Sequence, residues 1–425
     1  MTGIDVLALL GIDIAELDAY GRVDSGGGWA TFRVRKAKAD LPCPARGSLG
    51  RRVKGCAAKP YSFRSQTGIG VRVLFEHRRL RRPSCGKALF EPNPFMRKGA
   101  KVLSKEKILE IIGYLKDGIP STLVARYSSV SEATVSRVVD RVAKAKRRRL
   151  SKVVSIDEFC SFNSAVETKY ACMVLDAERR VVIDVLPSRR KRWLDDWFAK
   201  IPDAERLSVE YVNMDMHRPY RDAFRKRCPK ATIAIDPFHY IRCVVDAIES
   251  ARIRAMGGFL EAEPEYRLLK KRRRLLLAKS SPDSFAKPIR VAALGRVMYA
   301  SDIVAEMLSL DESLAEAYEL GHTFLAKLNR LDFGSFKPFL QLTIERFLGS
   351  SLKEFREVGE TFSNWREEIC NSYIEVPGFG RLNNSLSEGF SNKVKTLKKA
   401  CYGLSNFEHL RKRIFLIFDK NDPRK

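Results

Sequence analysis

Between residues 153 and 236 the chain alternates between β-branched runs and amphipathic segments, and this alternation limits the folds that it can adopt. Three runs of strand type come first, and the polar turn "DAERR" joins the second to the third. An amphipathic helical segment, a strand, a second helical segment and a short strand follow. The predicted elements are strands at 153–159, 169–176 and 180–187, a helix at 191–201, a strand at 207–215, a helix at 219–228 and a strand at 231–236.

This order of elements predicts an α/β fold with an RNase H-like core. In such a core the first and fourth strands lie side by side in one sheet. Asp157 stands near the end of the first strand, in "VVSIDEFCSF", and Asp215 stands near the end of the fourth. We therefore expect the two carboxylates to lie close together, although 215 − 157 = 58 residues separate them.

Two acids on neighbouring buried strands point to a metal site. A buried carboxylate costs free energy unless a cation or hydrogen bonds compensate it, and two adjacent carboxylates raise each other's pKa. Mg²⁺ binds one or two carboxylates together with water and phosphates, and a pair of such ions about 4 Å apart serves phosphodiester chemistry. We predict a two-ion Mg²⁺ site at Asp157 and Asp215, in which Mn²⁺ can substitute. Side chains alternate along a strand, so Glu158 is predicted to face away and to form a salt bridge or a cap.

A third acid is predicted at Glu388, in the polar helical segment "NNSLSEGFSNKVKTLKKACYGL". A lone glutamate on such a helix is ordinarily a surface residue. Here it shares a helical face with amides and lysines, so we interpret it as a metal ligand within a phosphate-binding surface. The other residues of this predicted DNA-binding face are Asn384, Asn392, Lys395 and Lys399.

The chain is strongly basic, since 78 Lys and Arg against 51 Asp and Glu give a net charge of +27 over 425 residues. This excess goes beyond what solubility requires and favours a polyanionic partner, for which double-stranded DNA is the best fit. No segment approaches the roughly 20 apolar residues of a membrane-spanning helix, and the N-terminus lacks a signal-peptide pattern. We therefore expect a cytoplasmic protein without membrane association.

Residues 103–147 have a helical period and suggest a DNA-binding unit. An apolar stripe precedes the break "DGIP", a short helix follows near Leu123, and "VSEATVSRVVDRVAKAKRRR" is predicted to form a third helix with Ser131 as its N-cap. This is the outline of a helix-turn-helix, whose last helix would enter the major groove of DNA with its N-terminal residues. We predict that Ser136 and Arg137 contact DNA.

The region from 40 to 100 is predicted to be loop-rich and β-like, in the manner of a degenerate zinc ribbon. A zinc ribbon needs paired cysteines because four soft ligands must converge on the metal. The motifs "CPARG" and "RRPSCGKALF" hold one cysteine each, with Arg46 and Arg82 where the second would be. Cys56 and His77 could replace the missing ligands only by an unusual path, so we expect no bound zinc.

Four segments in this order along the chain closely resemble the DDE transposases of bacterial insertion sequences, in particular the ISL3 family: "IDEF", "VNMDMHRPYR", "IAIDPFHYI" and "NNSLSEGFSNKVKTLKKACYG". The resemblance spans nearly the whole chain. It implies a catalytic, Mg²⁺-binding Asp-Asp-Glu triad, which falls on Asp157, Asp215 and Glu388. The family pattern also includes Asp236 and His239, which we interpret as groups that support the metal ligands or position DNA. A purely structural role for these two residues is the alternative.

We predict five parts of the chain: a ribbon-like segment at 1–100, the helix-turn-helix at 101–150, the first part of the core at 151–250, a helical insertion at 251–375 and the C-terminal helices of the core at 376–425. The predicted function is a transposase that binds the terminal inverted repeats of its insertion sequence, cleaves DNA at the element ends and joins them to target DNA. We expect a homo-oligomer in the DNA complex. Two alternatives stay open: a catalytically silent, transposase-derived DNA-binding regulator, and an RNase H-like nuclease or resolvase.

Overall fold

The computed structural model of this chain divides into two units. The first combines Met1–Lys146 with Lys393–Lys425, and the second is Arg147–Asn392. The structure describes residues 7–8, 10, 12–24, 29–37, 52–66, 69–81, 86, 88–91, 103–143, 147–160, 169–278, 287–382, 385–400 and 406–418.

Strands and helices are numbered separately in chain order. The strands are β1 (Leu17–Asp24), β2 (Trp29–Lys36), β3 (Arg52–Gln66), β4 (Ile69–Arg81), β5 (Ala88–Phe90), β6 (Val153–Cys160), β7 (Tyr170–Asp176), β8 (Val181–Leu186), β9 (Tyr211–Met214), β10 (Thr232–Ile235), β11 (Ile289–Val291), β12 (Arg296–Met298), β13 (Glu375–Val376) and β14 (Gly380–Arg381). The α-helices are α1 (Lys105–Lys116), α2 (Ser121–Tyr127), α3 (Glu132–Val142), α4 (Lys191–Phe198), α5 (Asp203–Arg206), α6 (Arg218–Arg227), α7 (Pro237–Met256), α8 (Pro264–Lys271), α9 (Arg273–Leu276), α10 (Ala300–Leu308), α11 (Glu312–Leu325), α12 (Phe333–Leu348), α13 (Lys353–Asn364), α14 (Arg366–Asn371), α15 (Ser385–Ala400) and α16 (Phe407–Ile417).

A five-stranded sheet forms the N-terminal part of the first unit. Its strand order is β1-β2-β4-β3, and β5 pairs with β4. The pairing of β2 with β4 is parallel and the other pairings are antiparallel. Apolar side chains from this sheet and the segment before it form one core, which includes Leu7, Leu10, Ile12, Phe32, Val34, Tyr61, Phe63, Val71, Val73 and Phe75.

Cys56 and His77, the two residues considered as substitutes for the missing zinc ligands, lie in this sheet. His77 is buried and its Nε2 is 2.6 Å from the Tyr61 hydroxyl, while burial lowers the pKa of the His77 ring. Cys56 is exposed on the neighbouring strand. His77 is therefore part of a hydrogen-bonded pair with Tyr61. Four of the residues discussed for the ribbon lie outside the described residues, namely Cys43, Arg46, Arg82 and Cys85.

The described residues of the first unit also include helices α1, α2, α3 and α16 and the last part of α15. The stripe predicted in α1 is buried against α2 and α3, and the Ser131 hydroxyl accepts a hydrogen bond from the Thr134 N–H, as predicted for an N-cap. The C-terminal helix α16 joins this group through Leu416, and the buried Arg413 donates to the Leu115 and Ile119 carbonyls. A helix from the far end of the chain therefore completes this helical group.

The second unit contains a five-stranded sheet with the order β10-β9-β6-β7-β8. Strands β6, β7 and β8 pair antiparallel, whereas β6 with β9 and β9 with β10 pair parallel. The predicted neighbourhood of the first and fourth strands is therefore confirmed. Side chains of these strands and of α4 and α6 share one core because the strands are β-branched and the helices carry apolar stripes.

Helices dominate the region between the sheet and α15. Helix α7 packs against α11 and α13, and a short antiparallel hairpin, β11–β12, interrupts the helices. The boundary predicted near residue 250 falls inside α7. The contacts also group residues 393–425 with the N-terminal part of the chain. Within the described part of the chain, no helix has both the length and the apolar character needed to cross a bilayer.

Candidate active site

The parallel pairing of β6 and β9 brings Asp157 and Asp215 together. Ile156 pairs with Met214 in the register, and each acid is the residue that follows in the chain. Asp215 is buried, Asp157 is partly buried, and the two carboxyl groups interact through a hydrogen bond. The expected proximity of these two acids is therefore confirmed.

Burial makes ionisation of Asp157 unfavourable. Burial and the neighbouring charge of Asp215 raise the pKa of Asp157 to about 7, even though two donors oppose the shift. These donors are the Glu158 backbone N–H, 2.7 Å from Asp157 Oδ1, and the Ser391 hydroxyl, 3.2 Å from Oδ2. A site with this arrangement favours a cation between the two acids.

His239 supports the second acid from helix α7. Its Nε2 is 2.6 Å from Asp215 Oδ1. Burial acts to lower the pKa of His239, but the hydrogen bond and the charges of Asp215, Asp236 and Asp157 outweigh it, so the pKa is raised. Asp236 is the N-cap of α7, and its backbone N–H donates to the Met214 carbonyl at 3.0 Å. Asp236 and His239 therefore lie beside the acid pair.

Helix α15 contacts the acid-bearing strand through two serines. The Ser387 and Ser155 hydroxyl oxygens are 2.7 Å apart and both residues are buried. One turn further on, Ser391 reaches Asp157. Sequence reasoning missed these serines because it treated them as polar surface. The available signal was the spacing of Ser387, Ser391 and Val394, which places all three on one helical face.

The side chain of Glu158 lies in different surroundings from that of its neighbour Asp157. Its carboxylate forms a salt bridge with Arg189, whose guanidinium lies 4.6 Å from the centre of the Tyr170 ring. The predicted salt-bridged role of Glu158 is confirmed.

Comparison with known proteins shows which family the chain belongs to. A family model described as "Transposase", that of the ISL3 type of DDE transposases, matches residues 154–414. The chain belongs to this transposase family. It is 22% identical over 304 residues to the transposase for insertion sequence element IS1001 from Bordetella parapertussis, which covers 70% of each chain. It is also 22% identical over 165 residues to the transposase for insertion sequence element IS1557 from Mycobacterium tuberculosis, covering 37% of this chain and 36% of that one.

The donor set of this transposase fits a divalent cation at the acid pair. Carboxylate oxygens are ligands that Mg²⁺ prefers, and a cation would favour the ionised form of Asp157 against the raised pKa. Glu388 is exposed on α15, three positions before Ser391. Over the described residues, no three His, Cys, Asp or Glu side chains form a group that could hold a metal ion. The structure thus brings Asp157 and Asp215 together without Glu388.

The predicted DNA-binding residues of α15 lie on its exposed side. Asn392, Lys395 and Lys399 are exposed, together with Glu388, whereas Asn384 lies outside the described residues. The buried side of the helix instead carries Ser387, Ser391, Val394 and Leu397.

In the first unit, the predicted DNA-binding residues occupy the outer face of α3. Arg137 is exposed, and Ser136 is half-buried. The Arg137 guanidinium donates to the Ala133 carbonyl and to the Thr134 hydroxyl, both at 3.1 Å. Its charge has only neutral partners on the helix and is available to an anion.

Proposed function

We propose that this protein is the transposase of an insertion sequence and acts on the DNA ends of that element. It binds the terminal inverted repeats, hydrolyses a phosphodiester bond at each end and joins the freed 3′-hydroxyl groups to target DNA. The observation that carries this proposal is the acid pair, formed by Asp157 within β6 and Asp215 directly after the neighbouring strand β9. Membership of the ISL3 family supports the reaction class.

The catalytic residues of the proposal are Asp157, Asp215 and Glu388. We infer that the first two hold Mg²⁺ and that Glu388 joins them when DNA binds. Mg²⁺, or Mn²⁺ in its place, would supply positive charge that stabilises the transition state and lowers the pKa of the attacking hydroxyl group. Water and the DNA 3′-hydroxyl groups serve as nucleophiles, so the protein needs none of its own. His239 orients the Asp215 carboxylate through the 2.6 Å contact, and Asp236 occupies the N-cap position of the helix that carries His239.

The order of strands and helices supports an RNase H-like core for the second unit. In this mixed sheet β9 and β7 flank β6, which brings Asp157 of β6 close to Asp215, the residue that directly follows β9. Helices α1, α2 and α3 support a helix-turn-helix in the first unit, in which α3 is the helix for the major groove.

The net charge of +27 supports a long DNA contact. We assign sequence-specific contacts to Ser136 and Arg137, and phosphate contacts near the active site to Asn384, Asn392, Lys395 and Lys399. Two ends of one element must be joined to one target, so we expect at least two copies of the chain in the active complex.

The test compares the cleavage of repeat DNA with binding to the same DNA. Asp157→Asn, Asp215→Asn and Glu388→Gln preserve the shape of each side chain and remove a negative ligand. We expect cleavage of repeat DNA with Mg²⁺ or Mn²⁺ to fall by more than about 100-fold, since residues that merely support metal ligands can cost that much. Gel-shift affinity for the same DNA should persist because the basic surfaces supply it.

Glu158→Gln is the matched control, since Glu158 is adjacent in sequence but pairs with Arg189. It should keep most of the activity. Full cleavage by Asp157→Asn would contradict the site. An unmodified protein that binds repeat DNA without cleaving it under any metal condition would favour the silent regulator, and cleavage of branched or hybrid substrates without joining would favour the nuclease.

A further inference from the structure

Phe238 is an exposed aromatic residue in the first turn of α7. It is 56% exposed, although the helix has a buried apolar side. At the start of a helix, the residue before the N-cap often packs against the fourth helical residue. In α7 these two residues are Ile235 and Tyr240, which are buried in the same core. Phe238 therefore has no part in anchoring the helix. The buried side of α7 is formed by Tyr240, Val244, Ala247, Ile248 and Ala251.

The ring of Phe238 lies beside His239, the residue that contacts Asp215. Its ring centre lies 5.7 Å from that of His239, with the two rings at 88° to each other. His239 in turn contacts Asp215 at 2.6 Å. The exposed ring is thus two contacts away from a proposed catalytic carboxylate.

Two arginines occur on the elements that carry these residues. Arg242 is one turn after Phe238 on α7, and its side chain is 64% exposed in an ion pair with Asp246 at 3.4 Å. Arg218 is the first residue of α6, three positions after Asp215, and it is exposed. The described residues include no carboxylate paired with Arg218. Exposed aromatic rings near cations are the means by which proteins hold unpaired nucleotides.

A buried acid pair imposes a requirement on a DNA substrate. Asp215 is only 8% exposed, so a phosphate reaches it only if the strand leaves the regular path of the duplex. A base next to that phosphate then loses its stacking partners, which costs free energy unless another flat surface replaces them. Phe238 offers such a surface at this edge of the sheet.

We propose that Phe238 stacks against an unpaired base next to the phosphate that is cut. This inference rests on the proposed function and adds a DNA-binding residue to it. The stacking is tolerant of base identity because every base has a flat face. It helps to hold the strand in the bent form that reaches Asp157 and Asp215.

The test combines protein variants with altered DNA. Phe238→Leu keeps an apolar side chain and removes the ring, whereas Phe238→Trp keeps a ring. Repeat-end duplexes are made with an abasic site at each nucleotide next to the cut in turn. With intact DNA, Phe238→Leu should slow cleavage by about 5- to 100-fold, the factor that corresponds to base–aromatic stacking, and Phe238→Trp should restore the rate.

One abasic position should abolish the difference between the unmodified protein and Phe238→Leu, since the stacking partner is then missing. Phe333→Leu, at another exposed phenylalanine of the second unit, is the matched control and should cleave normally on every substrate. The affinity of each protein variant for intact and abasic DNA is also measured at equilibrium, so that the test of stacking does not depend on cleavage.

Equal losses for Phe238→Leu on intact and abasic DNA, or no loss at all, would overturn the stacking role and leave the proposed function intact. A change in oligomeric state in Phe238→Leu without this dependence on the base would instead indicate a protein interface. An unmodified protein that neither binds nor cleaves repeat DNA would contradict both the stacking role and the proposed function.

Discussion

Ser391 donates a hydrogen bond to Asp157 across 234 residues of sequence, with 3.2 Å between the hydroxyl oxygen and Oδ2. This contact connects helix α15 to one proposed metal ligand. A second contact one turn earlier, between Ser387 and Ser155, connects the same helix to the same strand. The two serines therefore set the position of α15 along β6, and with it the position of Glu388.

Replacing Ser391 with alanine should weaken metal use more than folding. The change removes a donor that favours ionised Asp157. We expect the Mg²⁺ concentration for half-maximal cleavage to rise by about 10-fold, a typical cost for a residue that supports a metal ligand. The measurement is a Mg²⁺ titration of end cleavage, with thermal unfolding recorded in parallel.

Ser387→Ala is the matched comparison because it removes a serine contact of α15 without touching Asp157. The free energy of unfolding should fall by about 1 kcal/mol in Ser387→Ala, as in Ser391→Ala, because each variant loses one hydrogen bond. The Mg²⁺ requirement of Ser387→Ala should stay normal. Equal Mg²⁺ requirements in the two variants would reduce Ser391 to a packing residue.

Replacing His239 with phenylalanine should lower cleavage by about 10- to 100-fold without loss of repeat binding. The ring of His239 fixes the Asp215 carboxylate through one hydrogen bond, which phenylalanine cannot make. His239→Gln retains an N–H donor and should recover part of the rate and of the Mg²⁺ affinity. Identical Mg²⁺ titrations for both variants would argue that His239 acts on stability alone.

His322 should make the protein less stable as the pH falls. It is buried, its Nε2–H donates to the Leu276 carbonyl at 2.9 Å, and burial lowers its pKa. The unfolded chain then binds a proton more readily, so stability is full above pH 6.5 and declines below it, by at most about 1.4 kcal/mol per pH unit. Denaturant unfolding of the unmodified protein and His322→Gln from pH 8 to 5 isolates this effect. A difference that stays constant with pH would contradict it.

Arg413 should be important for the stability of the helical group in the first unit. Its buried guanidinium donates to the Ile119 carbonyl at 3.2 Å and to the Leu115 carbonyl at 3.4 Å. Arg413→Met preserves apolar bulk but removes both of these donated hydrogen bonds, which should cost about 1–3 kcal/mol. Thermal unfolding measures the loss. Lys412→Met, which removes the exposed pair with Asp140, should cost less than about 1 kcal/mol.

The acid pair was predictable from sequence because strand order decides which strand ends meet. The runs before Asp157 and Asp215 are short and β-branched, and the elements between them left few arrangements for the sheet. The exposed face of α15 was predictable from its lysines. The contacts of Ser387, Ser391 and Arg413 were not, because a buried polar side chain is recognised only by its partner, and each partner is distant in sequence. The association of α16 with α1 and α3 was not predictable either, because these helices are distant in sequence.

Arg137 provides a test of sequence recognition by α3. Its exposed guanidinium is near the start of the helix proposed for the major groove, and its partners there are neutral. Arg137→Ala should weaken binding to repeat ends by about 1–3 kcal/mol more than binding to random duplex, the usual contribution of a base-reading arginine.

Arg141, exposed in the last turn of the same helix, is the matched control, and Arg141→Ala should weaken both kinds of binding equally. The measurement is a gel-shift titration of both DNAs at one fixed salt concentration, because each lost phosphate contact changes the salt dependence. Equal losses on both DNAs for Arg137→Ala would identify Arg137 as a phosphate contact and move sequence recognition to other residues of α3.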